Sequence, residues 1–207
     1  MTIDPDLSSG RRVKLSPSGG FKTDLDIRLQ DNGLWVLLSD LVWEGSDGDV
    51  LIVKAGEETD FASVPRWLQA LLPSADPRVV RAAVVHDFLC RELNEYHAAQ
   101  LAPYAPIEDG YLTSAERSAL FDAAAAMPKP AFSAVDADGV FEKIMRDEGA
   151  GSVMQATGWL GVRLGAVANP ARREGWGSTA GRVLALILCY LITVVAILCL
   201  VALAIPL

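Results

Sequence analysis

D-P-R-V-V-R-A-A-V-V-H-D-F-L-C-R-E-L, residues 76–93, reads as one helix that the rest of the chain must surround. Asp76 suits an N-cap and Pro77 the first helical turn, so the start is marked, and the helix is predicted to run to about Leu93. Wrapped at about 100° per residue, Val79, Val80, Ala82, Ala83, Val84, Val85, Phe88, Leu89 and Cys90 cover nearly the whole circumference. A helix that is apolar all round is a buried helix. It therefore places His86 and Asp87 in or beside a core, where an ionisable group either finds a partner or gives up its charge.

Upstream, the first twenty residues are rich in Ser, Gly, Pro and charge and read as a flexible arm. Strand signals follow. Thr23 to Leu29 alternates polar and apolar, Asp31-Asn32-Gly33 is a turn signal, Leu34 to Trp43 is apolar and partly alternating, Ser46-Asp47-Gly48 is a second turn, and Val50 to Val53 is a short strand. These predict a small antiparallel β-meander. A short helix fits Pro65 to Leu72, capped by Ser63.

Downstream, residues 94–130 read as an irregular insertion or surface lobe broken by Pro103, Pro106, Pro128 and Pro130. One Ala-rich helix, Ser114 to Met127, starts within it from a Thr113 or Ser114 cap ahead of Glu116. The next helix, Ala134 to about Glu148, sets Ala137, Phe141, Ile144 and Met145 in one apolar stripe, with Asp138 about 60° from its centre. A third, Val153 to Ala168, carries Trp159, Leu160, Val162 and Leu164 and stops at Asn169-Pro170. The predicted fold class is α+β, the meander packed on a helical cluster. The globular domain spans residues 21–168, and 169–182 is a linker.

The far end differs in kind. Val183 to Ile205 carries no charge, and at about 1.5 Å per residue such a helix would cross a hydrocarbon core of about 30 Å. The expectation is one C-terminal transmembrane helix with the lipid bilayer as partner. Arg163, Arg172, Arg173 and Arg182 against the single acid Glu174 place the preceding domain on the cytoplasmic side of a single-pass membrane protein. The N-terminus, M-T-I-D-P-D-L, has neither the cationic nor the apolar region of a signal peptide.

Composition excludes some classes. A formal net charge of -8 argues against a nucleic-acid partner. Of the three cysteines, Cys189 and Cys199 lie in the apolar tail and only Cys90 in the body, so neither a disulfide framework nor a Cys-based zinc site is expected. No cofactor is indicated, and the residues leave metal use open.

The candidate chemistry rests on His86, Asp87, Asp138 and Asp60. An imidazole that takes a proton from water, with a carboxylate on its other nitrogen, makes a general base. Neighbours on a helix point about 100° apart, so Asp138 rather than Asp87 is the residue placed to orient His86. Asp87 is then left to hold a cation or a backbone amide. Asp60 is a third carboxylate, whose bland role is an Asx-turn or cap; Ser63 starts no nucleophile elbow and reads as a cap. His97, in N-E-Y-H-A, reads as an exposed helix-end or loop residue. The competing reading of all these groups is a polar clasp that ties helices together.

T-D-F-A-S-V-P-R-W (Thr59–Trp67), R-A-A-V-V-H-D-F-L-C (Arg81–Cys90), D-A-D-G-V-F-E-K-I-M-R-D-E-G (Asp136–Gly149) and V-R-L-G (Val162–Gly165) together resemble the phage-associated domain-of-unknown-function family 1353. The resemblance covers roughly Leu34 to Gly165. It implies that Asp60, Ser63, Pro65, His86, Asp87 and Asp138 occupy the family's motif positions, and that relatives occur in tailed-phage and prophage genomes; it brings no activity. Phe61 stands where the family has Gly, Cys90 where it has Tyr, and residues 94–130 separate motifs that usually lie close. The His-Asp helix followed by a later helical Asp also resembles secreted phospholipases of the A-two class, without their disulfides or a recognisable calcium loop. An HD-type phosphohydrolase would need a histidine upstream of the pair, and His97 lies after it. Two functions follow as expectations. One is a membrane-associated hydrolase with His86 as base; the other is a non-catalytic phage membrane or virion component with a buried clasp.

Overall fold

A computed structural model describes residues 2–3, 12–59, 76–104, 112–166, 180–191 and 194. The chain divides into two units, Met1–Glu174 and Gly175–Leu207. The first is α+β. Strands β1 (Thr2–Ile3), β2 (Arg12–Leu15), β3 (Leu25–Leu29) and β4 (Trp35–Leu37) are followed by β5 (Leu41–Glu44), β6 (Val50–Val53) and β7 (Glu58–Thr59). All pairings are antiparallel, in a sheet of order β1-β2-β3-β4-β7 and a separate β5-β6 hairpin.

The apolar run Leu34–Trp43 is therefore two strands in two sheets. The corner between them is held by polar contacts that periodicity does not reveal. Asp40 accepts from the Ala55 amide and from Lys54 Nζ, each at 2.9 Å, while the Thr23 hydroxyl donates to the Asp40 carbonyl and accepts from the Val42 amide. Residues 12–15, read from sequence as part of an arm, pair with β3 over Arg12↔Arg28 to Leu15↔Leu25.

Helix α1 (Pro77–Leu101) starts as the sequence suggests, with the Asp76 carboxylate accepting from the Arg78 amide at 2.9 Å. It passes Leu93 by two turns, because no helix breaker occurs until Pro103, which sits in a 3-10 turn at Ala102–Tyr104. His97 thus lies inside a helix and is half-buried, edge-on to Tyr96. Helix α2 (Ser114–Ala126) opens with a Thr113/Glu116 capping box and buries only Ala124, as a surface lobe would. Helix α3 (Ala134–Asp147) opens with a Ser133/Asp136 capping box, and α4 (Ser152–Gly165) follows within five residues.

The core forms where the sheet faces meet α1 and α3. Leu25, Ile27, Leu37, Leu41, Trp43 and Val53 from the strands join Ala82, Val85 and Leu89 of α1, Phe141, Ile144 and Met145 of α3, and Val162 of α4. Each such side chain contributes about 1.5–3 kcal/mol by leaving water, which orders the helices around α1.

The expected anchor and its localisation are corrected. Among the described residues no helix is long and apolar enough to cross a membrane. Residues 180–191 and 194 are the described part of the C-terminal stretch, and they are helical. The remainder of Val183–Ile205, residues 192–193 and 195–205, lies outside the described residues. The transmembrane helix, and the single-pass placement with a cytoplasmic domain, rested on the polarity of that run and its flanking charges alone. The lipid-bilayer partner was inferred from the same residues. The Pro65–Leu72 helix and the Asn169-Pro170 stop also lie outside the described residues.

Candidate functional site

Three helices converge on one interior group of charges. Because α1 is apolar around its whole girth, its middle is enclosed on all sides, and His86 there has 0 % of its surface exposed. The capping box that starts α3 at Ala134 sets the phase in which Ala137, Phe141 and Ile144 face α1. Asp138 adjoins that stripe and is carried inward with it to 0 % exposure. Helix α4 then brings Arg163, likewise at 0 %.

The geometry joins them through Asp138. His86 Nε2 lies 2.8 Å from Asp138 Oδ1, and Arg163 Nη1 donates to Asp138 Oδ2 at 2.5 Å. One carboxylate thus bridges two side chains from two other helices, its oxygens accepting one contact each. The Phe141 ring stands edge-on to the imidazole, centroids 5.7 Å apart. Cys90, one turn after His86, puts its sulfur 3.5 Å from Nε2 and 3.8 Å from Nδ1.

Asp87 turns elsewhere, as its 100° offset requires. Its Oδ2 accepts from the hydroxyl of Thr59 in β7 at 2.5 Å, tying the sheet edge to α1. Its Oδ1 is 3.9 Å from His86 Nδ1, too long for a hydrogen bond but close enough for coulombic attraction. Two carboxylates, a guanidinium and an imidazole thus meet inside the fold, with the Cys90 thiol beside the ring.

These neighbours set the protonation state of His86. Burial opposes the charged ring, but the Cys90 sulfur, Asp138 and Asp87 outweigh it and hold the imidazole well above its ordinary value. The shift favours the protonated ring. General-base chemistry needs the reverse, a neutral ring with a lone pair open to substrate. Among the described residues no group of three or more His, Cys, Asp or Glu side chains converges as a metal site.

Of the residues singled out from sequence, His86 and Asp138 meet directly and Asp87 adjoins them, while Asp60, like Ser63 and Pro65, lies outside the described residues. Arg163 was missed as a member of the site, having been read only as a cation flanking the apolar tail. The signal was present in its neighbours: an arginine among Trp159, Leu160, Val162 and Leu164 on a helix with an apolar face needs a buried carboxylate.

Fold and site define an α+β domain with a buried group of charged side chains contributed by three helices. The chain belongs to the family described as protein of unknown function (DUF1353), which matches residues 35–162, more than half its length. The match takes in Thr59, His86, Asp87 and Asp138 and ends one residue before Arg163. No curated protein and no solved structure matches the chain.

Proposed function

We propose that this chain is a non-catalytic phage or prophage component in which His86, Asp138 and Arg163 are a buried clasp holding α1, α3 and α4 together. The phage assignment rests on the family's association with tailed-phage genomes. The observation that carries the clasp is the enclosure of all three side chains at 0 % exposure, with Asp138 bridging the other two. A hydrolase using His86 as base would need substrate to reach an imidazole nitrogen, and neither nitrogen meets solvent.

Histidine acylation by diethyl pyrocarbonate, followed by peptide mass spectrometry, tests the reading on the native chain. With two histidines the outcome is unambiguous. His97 reacts and His86 stays unmodified until denaturant is added. Modification of His86 at the rate of His97 under native conditions would show an open site and overturn the proposal.

A further inference from the structure

A second buried ion pair lies apart from the clasp, at the C-terminal end of α3. Arg81 of α1 is 4 % exposed, and the Glu148 side chain, at the α3 C-cap, is 1 % exposed. Arg81 Nη1 donates to Glu148 Oε2 at 2.6 Å and to Ser18 Oγ at 2.7 Å, Arg81 Nη2 donates to the Ser16 carbonyl, and the Ser18 hydroxyl donates to Glu148 Oε2 at 2.7 Å. The guanidinium also lies 5.8 Å from the centre of the Phe21 ring. One cation thus grips three points of the connection between β2 and β3 as well as a carboxylate of α3.

The connection is shaped for that grip. Gly19 has φ 55°, and a Cβ there would sit 2.4 Å from Glu148 Oε1 and 2.8 Å from the Asp147 carbonyl. A Cβ on Gly20 would sit 2.5 Å from the Glu44 carbonyl. The Ser-Gly-Gly run is the bare backbone that close approach to α3 and β5 demands.

At its far end the connection is anchored by the buried Phe21, bridged to Trp43, and by the Glu44 amide donating to the Gly20 carbonyl at 2.9 Å; the β2 end is held more lightly. Of the side chains described in β2 only Leu15 is buried, and its ladder to β3 is four residues long. The Arg12–Asp26 pair adds a contact whose arginine side chain is 46 % exposed and screened accordingly. A short strand whose outer neighbour, β1, covers it over only two residues belongs to the low-stability end of a fold.

We propose that residues 16–21 are a strap latched by Arg81 and Glu148, and that opening the latch releases β2 from β3 while the helical core stays folded. The latch works on the strap because the cation and carboxylate both belong to helices fixed independently through the clasp. Breaking it removes the three points of attachment and leaves the helices their own packing.

Native-state hydrogen exchange by mass spectrometry on the full chain tests this in two variants. Glu148→Gln removes the charge with little change of shape, and Gly19→Ala pushes the strap off the α3 C-terminus without altering a residue of either helix. Both should accelerate exchange of amides 12–21 by about tenfold or more while residues 84–89 and 137–144 keep their original rates. Uniform acceleration across strap and helices would mean the pair is part of the global core, and unchanged rates at 12–21 would mean it holds no strap; either result overturns the proposal. Should Glu148→Gln fail to fold, Gly19→Ala alone decides between them.

Discussion

Changing Asp138 to Asn strips the charge from the centre of the clasp while keeping its shape, and the structure sets what that costs. Two contacts change, to His86 Nε2 at 2.8 Å and to Arg163 Nη1 at 2.5 Å. Hydrogen bonds to charged groups contribute about 1.5–3 kcal/mol each, so two amount to about 3–6 kcal/mol. Breaking a buried ion pair by removing one partner costs about 3–5 kcal/mol by an independent route. The amide oxygen still accepts one bond and His86 relieves part of the repulsion by losing its proton, which points to the lower end, about 3 kcal/mol. Against a total stability of about 5–15 kcal/mol that is a large fraction. Urea unfolding followed by circular dichroism should show a lower midpoint at nearly unchanged slope, and thermal unfolding a midpoint lower by about 6–12 °C. A loss under about 1 kcal/mol would refute the reasoning, since a carboxylate bridging two enclosed cations cannot be dispensable.

Replacing the whole clasp should be far milder than breaking it. The triple variant His86→Leu, Asp138→Leu, Arg163→Met removes every buried charge of the three, and its unfolding midpoint should recover most of the loss seen in Asp138→Asn, because apolar side chains of similar bulk substitute for a buried ionic group at little net cost. Stability should also depend on pH in a defined direction. The His86 pKa is raised on folding, so its contribution is fully present below about 6.5 and declines as pH rises through the folded value; urea midpoints measured upward from pH 6 should fall in the native chain and flatten in the triple variant. On the acid side the sign reverses, because hydrogen bonds from Arg12 to Asp26 and from Arg78 to Asp76 hold those carboxyls below their ordinary value. Their contribution, present above about pH 4, is lost as pH falls through the folded values.

Features written in local chemistry were legible in the sequence. Asp76-Pro77 and Thr113 with Glu116 mark two helix starts, because a cap satisfies amides within its own turn, while the Ser133/Asp136 capping box went unread. The full apolar girth of α1 correctly implied an enclosed His86, and the helical offset between neighbours separated Asp138 from Asp87 in their relation to the ring. Features that depend on contacts distant in sequence were not legible. The corner at Asp40 needs Lys54 and Ala55, and the enclosure of Glu148 needs Arg81, sixty-seven residues away. Glycines at 19 and 20 signal looseness in isolation, yet here they permit close packing against α3 and β5. Arg163 failed for the same reason: periodicity shows that a charge lies on an apolar face but not which carboxylate waits for it. The expected anchor rested on apolar sequence alone, and among the described residues no helix is long and apolar enough to cross a membrane.

The central claim, that charge is locked inside this fold, is tested most directly by the imidazole nitrogens of His86. In a chain labelled with 15N at histidine, with His86→Gln used to assign the two residues, long-range proton–nitrogen spectra distinguish a ring protonated on both nitrogens from a neutral tautomer. At pH 7 His86 should show the paired shifts of an imidazolium and keep them well above the ordinary histidine value of about 6.5. A neutral ring at pH 7, titrating at or below about 6.5, would contradict the clasp and leave His86 in the state a general base requires.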